Sequence, residues 1–292
     1  MKPFRRLSAG EKIIQIVNVA FMVLISVVTI YPFWYILVAS FSDPSEVVRA
    51  GGLLVWFRGF GLYAYKEVFV HKLFWSSYGN TLIYLACGLT LNMLMTTLAA
   101  YALSRRNVRG QFLVMKGIVF TMFFSGGMIP TYLVVSNLKM TDTMWSQFVP
   151  YAINAYNLIL LRTAFRAVPY GIEEAAIIDG ASSAQVMLRI ILPLALPSIM
   201  VIGLYYTEEI WNSYFRALIY IRSSSKYPLQ LVLQEILLYN TKGQSDMSFV
   251  NTNINQTVKY ATIIVSTLPV LMVYPFIQRF FVQGVMIGSI KG

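Results

Sequence analysis

At 292 residues, with 57% apolar and 12% charged side chains, the chain is too apolar for an ordinary soluble domain. One cysteine, Cys87, excludes an intramolecular disulfide framework and, set in an apolar run, reads as inert packing. The net charge of +11 is not gathered into one basic block, as a nucleic-acid surface would require; Lys and Arg stand at the ends of apolar segments.

Lys2, Arg5, Arg6 and Lys12 precede an apolar run over residues 13–39. That run exceeds the core of a signal peptide, roughly 7–15 residues, so it predicts a retained first transmembrane helix. A spanning helix needs about 20 mostly apolar residues. Six runs qualify, over 13–39, 79–103, 112–136, 145–165, 195–221 and 258–281. The expected fold is an all-α membrane protein: a cytoplasmic N-terminus (1–12), a six-helix transmembrane domain (13–283) and a cytoplasmic tail (284–292). Pro32 is expected to kink or end the first helix near its outer end.

Residues 41–78 carry Asp43, Pro44, Gly51, Gly52 and Gly59, too irregular to span, and read as an outer loop with a short amphipathic element. His71, the lone histidine, has no second ligand to suggest a metal site. The connector Ser104–Gly110 holds Arg105, Arg106 and Arg109, which places it in the cytoplasm by the positive-inside rule. Asn137–Met144, with only Lys139 and Asp142, fits the outside, and Arg162, Arg166 and Arg189 return the chain to the inside. Residues 222–257 form the longest outer loop. Its amides and aromatics either suit sugar hydroxyls, which need donors and acceptors, or mark a flexible solvated loop.

The stretch 168–193 is the one polar, helix-competent segment between long apolar runs. Pro169 suits a helix start, and Glu173 and Glu174 follow near the positive end of the dipole. Asp179-Gly180 stops that helix, and Ser182 with Gln185 reads as a capping box opening a second. Pro193 and Pro197 limit its length. The result is a short helix–turn–helix at a membrane surface.

The spacing Glu174-Ala175-Ala176, then Gly180, then Ile190 and Leu192-Pro193, resembles the EAA motif of ABC importer membrane subunits; Asp179 and Ala181 match the form common in sugar importers. The resemblance implies a coupling helix seated in a cleft of a cytoplasmic ATPase. Glu173 and Ala181 then flank the docking face, Ala175-Ala176 permit close backbone approach, and Glu174 meets a basic group on the ATPase. Met187 departs from a frequent aromatic, but Met fills irregular gaps, so docking is expected to survive.

No Walker A phosphate loop, H-E-x-x-H or paired cysteine occurs, so the chain is not expected to be an enzyme, to bind a metal or to carry a cofactor; energy must come from another subunit. Polar residues inside spans are costly and usually face a cavity or a partner. Asn154, Asn157, Glu208, Glu209, Trp211 and Asn212 are therefore candidates for a translocation path, with a polar clamp between helices as the alternative. Glu208 lies about eleven residues past Pro197, roughly 16 Å along a helix and near mid-bilayer. Both carboxylates are within helical reach of Asn212, whereas Arg216, two turns on, cannot pair with them in one straight helix.

Beyond the coupling segment the chain is similar to maltose-type sugar permeases of the second-subunit class. Phe124–Tyr132 (FSGGMIPTY), Tyr227–Leu231 (YPLQL) and the tail from Phe281 resemble the subgroup importing oligosaccharides of uronate-rich polymers. This implies a multi-pass protein of the bacterial cytoplasmic membrane. Its partners would be a homologous permease subunit, two ATPase subunits holding ATP and Mg, an extracytoplasmic solute-binding protein and an oligosaccharide cargo. By position, Tyr239, Asn240, Gly243, Gln244, Asn251, Asn253 and Asn255 would probe the binding protein's cleft. Glu208-Glu209 departs from the subgroup and would repel an anionic sugar unless neutralised or turned away. The competing reading is a self-sufficient ion-coupled carrier or channel built on Glu208 and Glu209.

Overall fold

The computed structural model describes residues 9–105, 108–242, 257–272 and 275, which are helical and without strands. They fall into two compact units, one running to His71 and including Glu235–Thr267, the other including Lys72–Gln234.

In the first unit, α1 (Ala9–Ser40) is exposed along its apolar length and buries only its C-terminal end. Its polar side chains bond back to the helix, Ser26 to the Met22 carbonyl and Thr29 to that of Ile25, each at 2.8 Å, as hydrocarbon surroundings require. Of the two outcomes expected at Pro32, a kink or an end, the end does not occur: the helix runs on to Ser40. A spanning helix carries a proline where other groups re-satisfy the freed carbonyl. The segment after α1 is an ordered loop. Asp43 caps α2 (Pro44–Arg49) by accepting from the Ser45 N–H, and α3 (Tyr63–Val70) follows. Val38, Ala39, Val47 and Leu54 form a small core there.

The second unit is built on α4 (Phe74–Ser104). One stripe of it is buried: Ser77, Thr81, Tyr84, Gly88, Asn92, Thr96 and Ala100, spaced at three and four residues and, Tyr84 apart, small or weakly polar. Small and weakly polar residues at that spacing let neighbouring helices approach closely. A Cβ on Gly88 would lie 3.0 Å from both Phe148 Cβ and Ile210 Cδ1.

The expected single span over 112–136 is two helices, α5 (Gln111–Phe123) and α6 (Met128–Asn137), bent by 115°. The break falls at Phe124–Gly127, where Gly127 adopts φ +87°. The expected span over 145–165 is likewise divided. A short α7 (Trp145–Phe148) and a 3-10 turn through Pro150 precede α8 (Ala155–Ala167), which Asn154 caps by accepting from the N–H groups of Tyr156 and Asn157. After α9 (Tyr170–Ile178), α10 (Ser183–Val186), a π-turn over Met187–Ile191 and α11 (Leu192–Leu194), the chain bends by 83° into α12 (Leu196–Trp211).

The expected span over 195–221 breaks again at Asn212-Ser213 before α13 (Tyr214–Tyr220). α14 (Leu229–Lys242) and α15 (Thr257–Met272) complete the described chain. Among the described residues, by length and composition alone, two helices can cross a membrane, or up to four if each bent pair counts as one. Cys87 lies on an exposed face of α4, not in packing.

Away from the coupling segment, Asp142 joins two connectors. Its carboxylate accepts from the Ser223 hydroxyl (2.6 Å) and N–H (2.9 Å), the Arg222 N–H (3.0 Å) and Lys226 Nζ (3.1 Å). The Ser223 hydroxyl, then the Ser223 N–H, hold this carboxyl far below its ordinary value of 3.8.

Two outcomes follow from this packing. Gly88→Leu should lower stability by about 2 kcal/mol through overpacking, seen as a reduced Tm in detergent; a wild-type Tm would contradict the close approach. Asp142→Asn should lower Tm by an amount that stays constant from neutral pH to about 5. A carboxyl lowered by folding stabilises above its unfolded pKa and loses that contribution as pH falls through the folded value, so the difference should shrink only below about pH 4. A difference already shrinking near pH 6 would contradict the anchor.

Candidate functional site

The segment 168–193 folds as its residue types demand. Pro169 precedes α9, and Asp179 ends it with Gly180 at φ +84°. The N–H of Gly180 donates to the Ile177 carbonyl (3.0 Å) and that of Ala181 to the Ala176 carbonyl (2.9 Å). This double bond pattern is the Schellman stop, in which the two residues flanking the turn make an apolar contact and the left-handed position takes Gly. Ala176 and Ala181 are the two flanking residues, so they serve the turn as well as any partner. Ser182 then caps α10, its hydroxyl accepting from the Gln185 N–H while the Gln185 side chain accepts from the Ser182 N–H.

The two carboxylates of α9 part company. Glu173 is turned inward and paired with Arg105, while Glu174 is exposed beside Ala175. No side chain of α9 is fully buried, and Ile178 is 81% exposed, with Ile172 and Ile177 also outward. Asp179 and Pro193 are exposed; Ile190 and Leu192 are half-buried, next to the buried Ile191. The knob thus presents an apolar surface with two exposed acids, Glu174 and Asp179. Its arginine neighbours were read only as topology signals. Arg162 Nε donates to the Leu103 carbonyl at 2.7 Å and Arg166 Nε to that of Ser104 at 3.4 Å, so both cap the C-terminal end of α4.

A second region, a cavity of about 640 Å³, is lined by Asn154, Asn157, Glu208, Glu209 and Asn212 among others. Five of the six path candidates therefore come together. Trp211 does not; it is 4% exposed and meets the Tyr78 ring edge-on at 6.4 Å. Side chains that sequence reading passed over also line the cavity, Tyr151, Tyr156, Tyr205 and Phe215, together with Arg216, which it had set apart from the two carboxylates. An aromatic and amide lining is what their types supply, but only the fold brings them to one wall.

Arg216 pairs with Glu209, contrary to the straight-helix expectation. The break at Asn212-Ser213 interrupts that straight helix, and across it the two side chains meet. The guanidinium carbon also sits 3.6 Å from the Tyr151 ring centroid, a cation–π contact. Glu208 is exposed, with the Asn212 amide donating weakly to it at 3.4 Å. Asn154 does double duty: it caps α8, and its N–H donates to the Tyr206 hydroxyl (2.9 Å), which lies 2.7 Å from Thr96 Oγ1 on α4.

Tyr239 and Asn240 fall in the last turn of α14; Gly243, Gln244, Asn251, Asn253 and Asn255 lie outside the described residues. Among the described residues no cluster of His, Cys, Asp or Glu could hold a metal ion.

Comparison with known proteins gives a consistent match. Residues 94–287, which include the whole of the segment 168–193 and the cavity, match the family model described as binding-protein-dependent transport system inner membrane component. The chain is 40% identical over 275 residues to the polygalacturonan/rhamnogalacturonan transport system permease protein YtcP of Bacillus subtilis, covering 93% of this chain and 96% of that one. Protein LplC of the same organism is 39% identical over 285 residues, with 96% of each chain covered. A chain in the crystal structure of a bacterial ABC transporter that imports the acidic polysaccharide alginate superposes with a TM-score of 0.83 at 31% identity, covering 94% of this chain and 99% of that chain. The chain belongs to the family of binding-protein-dependent transport system inner membrane components, the permease subunits of ABC transporters.

Proposed function

We propose that this chain is one of two membrane subunits of an ATP-driven importer that moves an oligosaccharide across a bacterial cytoplasmic membrane by alternating access. The observation that carries the reading is the exposed knob of α9 and α10, whose outward isoleucines and unpaired Glu174 need a partner surface. Two ATPase subunits, holding ATP and Mg, would grip this knob and its counterpart on a homologous permease. The family name and the relatives' printed functions support an extracytoplasmic binding protein as the donor of cargo.

The topology proposed is six spans, with the knob, both termini and the arginine-rich connector after α4 in the cytoplasm. It is supported by the positive-inside pattern of Lys2, Arg5, Arg6, Arg105, Arg106 and Arg109. Each bent helix pair counts as one span in that scheme, and α8 and α15 belong to two more.

The cavity is proposed as this subunit's share of the path. Its tyrosines offer flat faces for sugar rings, and Asn154, Asn157 and Asn212 offer both donors and acceptors. The relatives' cargoes, polygalacturonan or rhamnogalacturonan and alginate, favour a plant- or algal-type oligosaccharide. Because Arg216 already neutralises Glu209, only Glu208 would oppose an acidic cargo. An ion-coupled carrier would need no ATPase handle, so the exposed knob argues against that alternative.

Reconstituted with its partners, the wild-type complex should couple ATP hydrolysis to uptake. Glu174→Lys and Gly180→Pro should each lose most uptake, the second because proline cannot adopt a positive φ. Uptake at the wild-type rate in both variants, or uptake driven by a pH gradient without ATPase, would overturn the reading. Within the cavity, Glu209→Gln should cost about 3 kcal/mol of stability by leaving Arg216 unpaired in a half-buried site, whereas Glu208→Gln should leave Tm unchanged. Equal Tm values for the two variants would contradict the pairing.

A further inference from the structure

The α10 arm of the coupling segment is held by packing. Val186 and Ile191 are buried in the core that α4, α8 and α12 share. The α9 arm is not. It buries no side chain fully, touches that core only through the half-buried Ala176, and is separated from α10 by the Gly180 turn. Its fixed position needs another cause.

That cause is visible at the end of α4. Arg105, the residue that ends this helix, is bonded to Glu173 of α9, and the pair is shielded, the two side chains being 16% and 13% exposed. Arg105 is itself locked: Nε donates to Ser104 Oγ at 3.0 Å, Nη2 to the Phe165 carbonyl of α8 at 3.4 Å, and its guanidinium carbon lies 4.8 Å from the Tyr101 ring centroid. Tyr101, one turn earlier, donates its hydroxyl to the Ser183 carbonyl of α10 at 2.9 Å. Each arm of the knob is thus tied to the last turn of α4 on its own side of the Gly180 turn.

Resting on the importer reading above, we propose that Arg105, with Tyr101, is a positioning residue that clamps the α9 arm to α4 through Glu173, so that the knob and α4 move as one body when the knob is displaced. Glu173 is then an internal latch and not a contact to the motor, which leaves Glu174 as the outward acid. The guanidinium is suited to this task. It is planar, permanently charged and able to serve three acceptors at once, where an ammonium offers a single point charge. Without the clamp, displacement of α9 would be taken up by rotation at the Gly180 turn and by the unpacked surface beneath the helix. It would not reach α4, on which α8 and α12 pack.

The test uses the complete complex in proteoliposomes and reads three quantities: subunit assembly, ATP turnover, and sugar taken up per ATP hydrolysed. Arg105→Gln should assemble and turn over ATP while uptake per ATP falls roughly tenfold. Glu173→Gln should give the same fall, and the double variant no further fall, because one interaction is lost in all three. The charge exchange Arg105→Glu with Glu173→Arg should recover most of the coupling. Wild-type uptake per ATP in Arg105→Gln would overturn the proposal. So would a Glu173→Gln variant that loses ATPase binding while Arg105→Gln keeps it, since Glu173 would then meet the motor directly. Should Arg105→Gln fail to assemble, the charge exchange decides: restored assembly supports the clamp and continued failure overturns it. Glu174→Lys runs beside these as the control for the importer reading. If the wild type itself couples no ATP to uptake, that reading fails; if Glu174→Lys uncouples and Arg105→Gln does not, only the clamp fails.

Discussion

The last carbonyls of a helix have no partner within it and carry the negative end of its dipole. In α4 this end is closed by guanidinium groups from another element: Arg162 and Arg166 of α8 reach the Leu103 and Ser104 carbonyls, and Arg105 fills the corner between them and α9. The stripe of small residues along α4 allows close packing of its neighbours, and the capped end adds polar ties from α4 to α8 and to both arms of the knob. The same arginines that favour an inner-face location by charge therefore also do structural work at one joint.

Breaks in the helices are the second constraint. In hydrocarbon an interrupted helix is tolerated only where the freed backbone groups find partners in protein or line a polar cavity. The interruption at Asn212-Ser213 satisfies its own backbone, the Tyr214 N–H donating to the Asn212 carbonyl at 2.8 Å and the Ser213 N–H to that of Ile210 at 3.3 Å. Its consequence is chemical: with the helix interrupted, Arg216 meets Glu209, and an acidic pair becomes one neutralised carboxylate and one open one. The start of α8 does likewise at the opposite wall, where Asn154 spends its side-chain oxygen on the cap and its N–H on Tyr206. Amides and acids in the cavity thus hold the helices and line the space at once, so the alternatives of polar clamp and solute contact are not exclusive.

Relatives named for different polysaccharides match this chain over more than nine-tenths of each length, and within this chain the knob follows sequence rules that the cavity lacks. Its requirements are local: a Schellman turn with Gly180 between Ala176 and Ala181, then a capping box at Ser182. The cavity has no comparable local rule, since any set of small polar and aromatic side chains of the right shape will serve.

What the amino-acid order alone determined is whatever depends on near neighbours or on bulk composition. Apolar runs longer than a bilayer's thickness announced a membrane protein, and Pro169, Asp179-Gly180 and Ser182 with Gln185 announced the helix–turn–helix of 168–193 and its boundaries. Each of these is settled within about four residues by φ limits and orphan backbone groups. Tertiary structure decided the rest. It chose which glutamate of α9 faces inward, because Arg105 lies 68 residues away in sequence. It buried Trp211 against Tyr78 while assembling Tyr151, Tyr205 and Arg216 around the amides, and it interrupted three of the predicted spans, bending the one over 112–136 by 115°. Those outcomes rest on packing and charge between distant segments, which one-dimensional periodicity does not record.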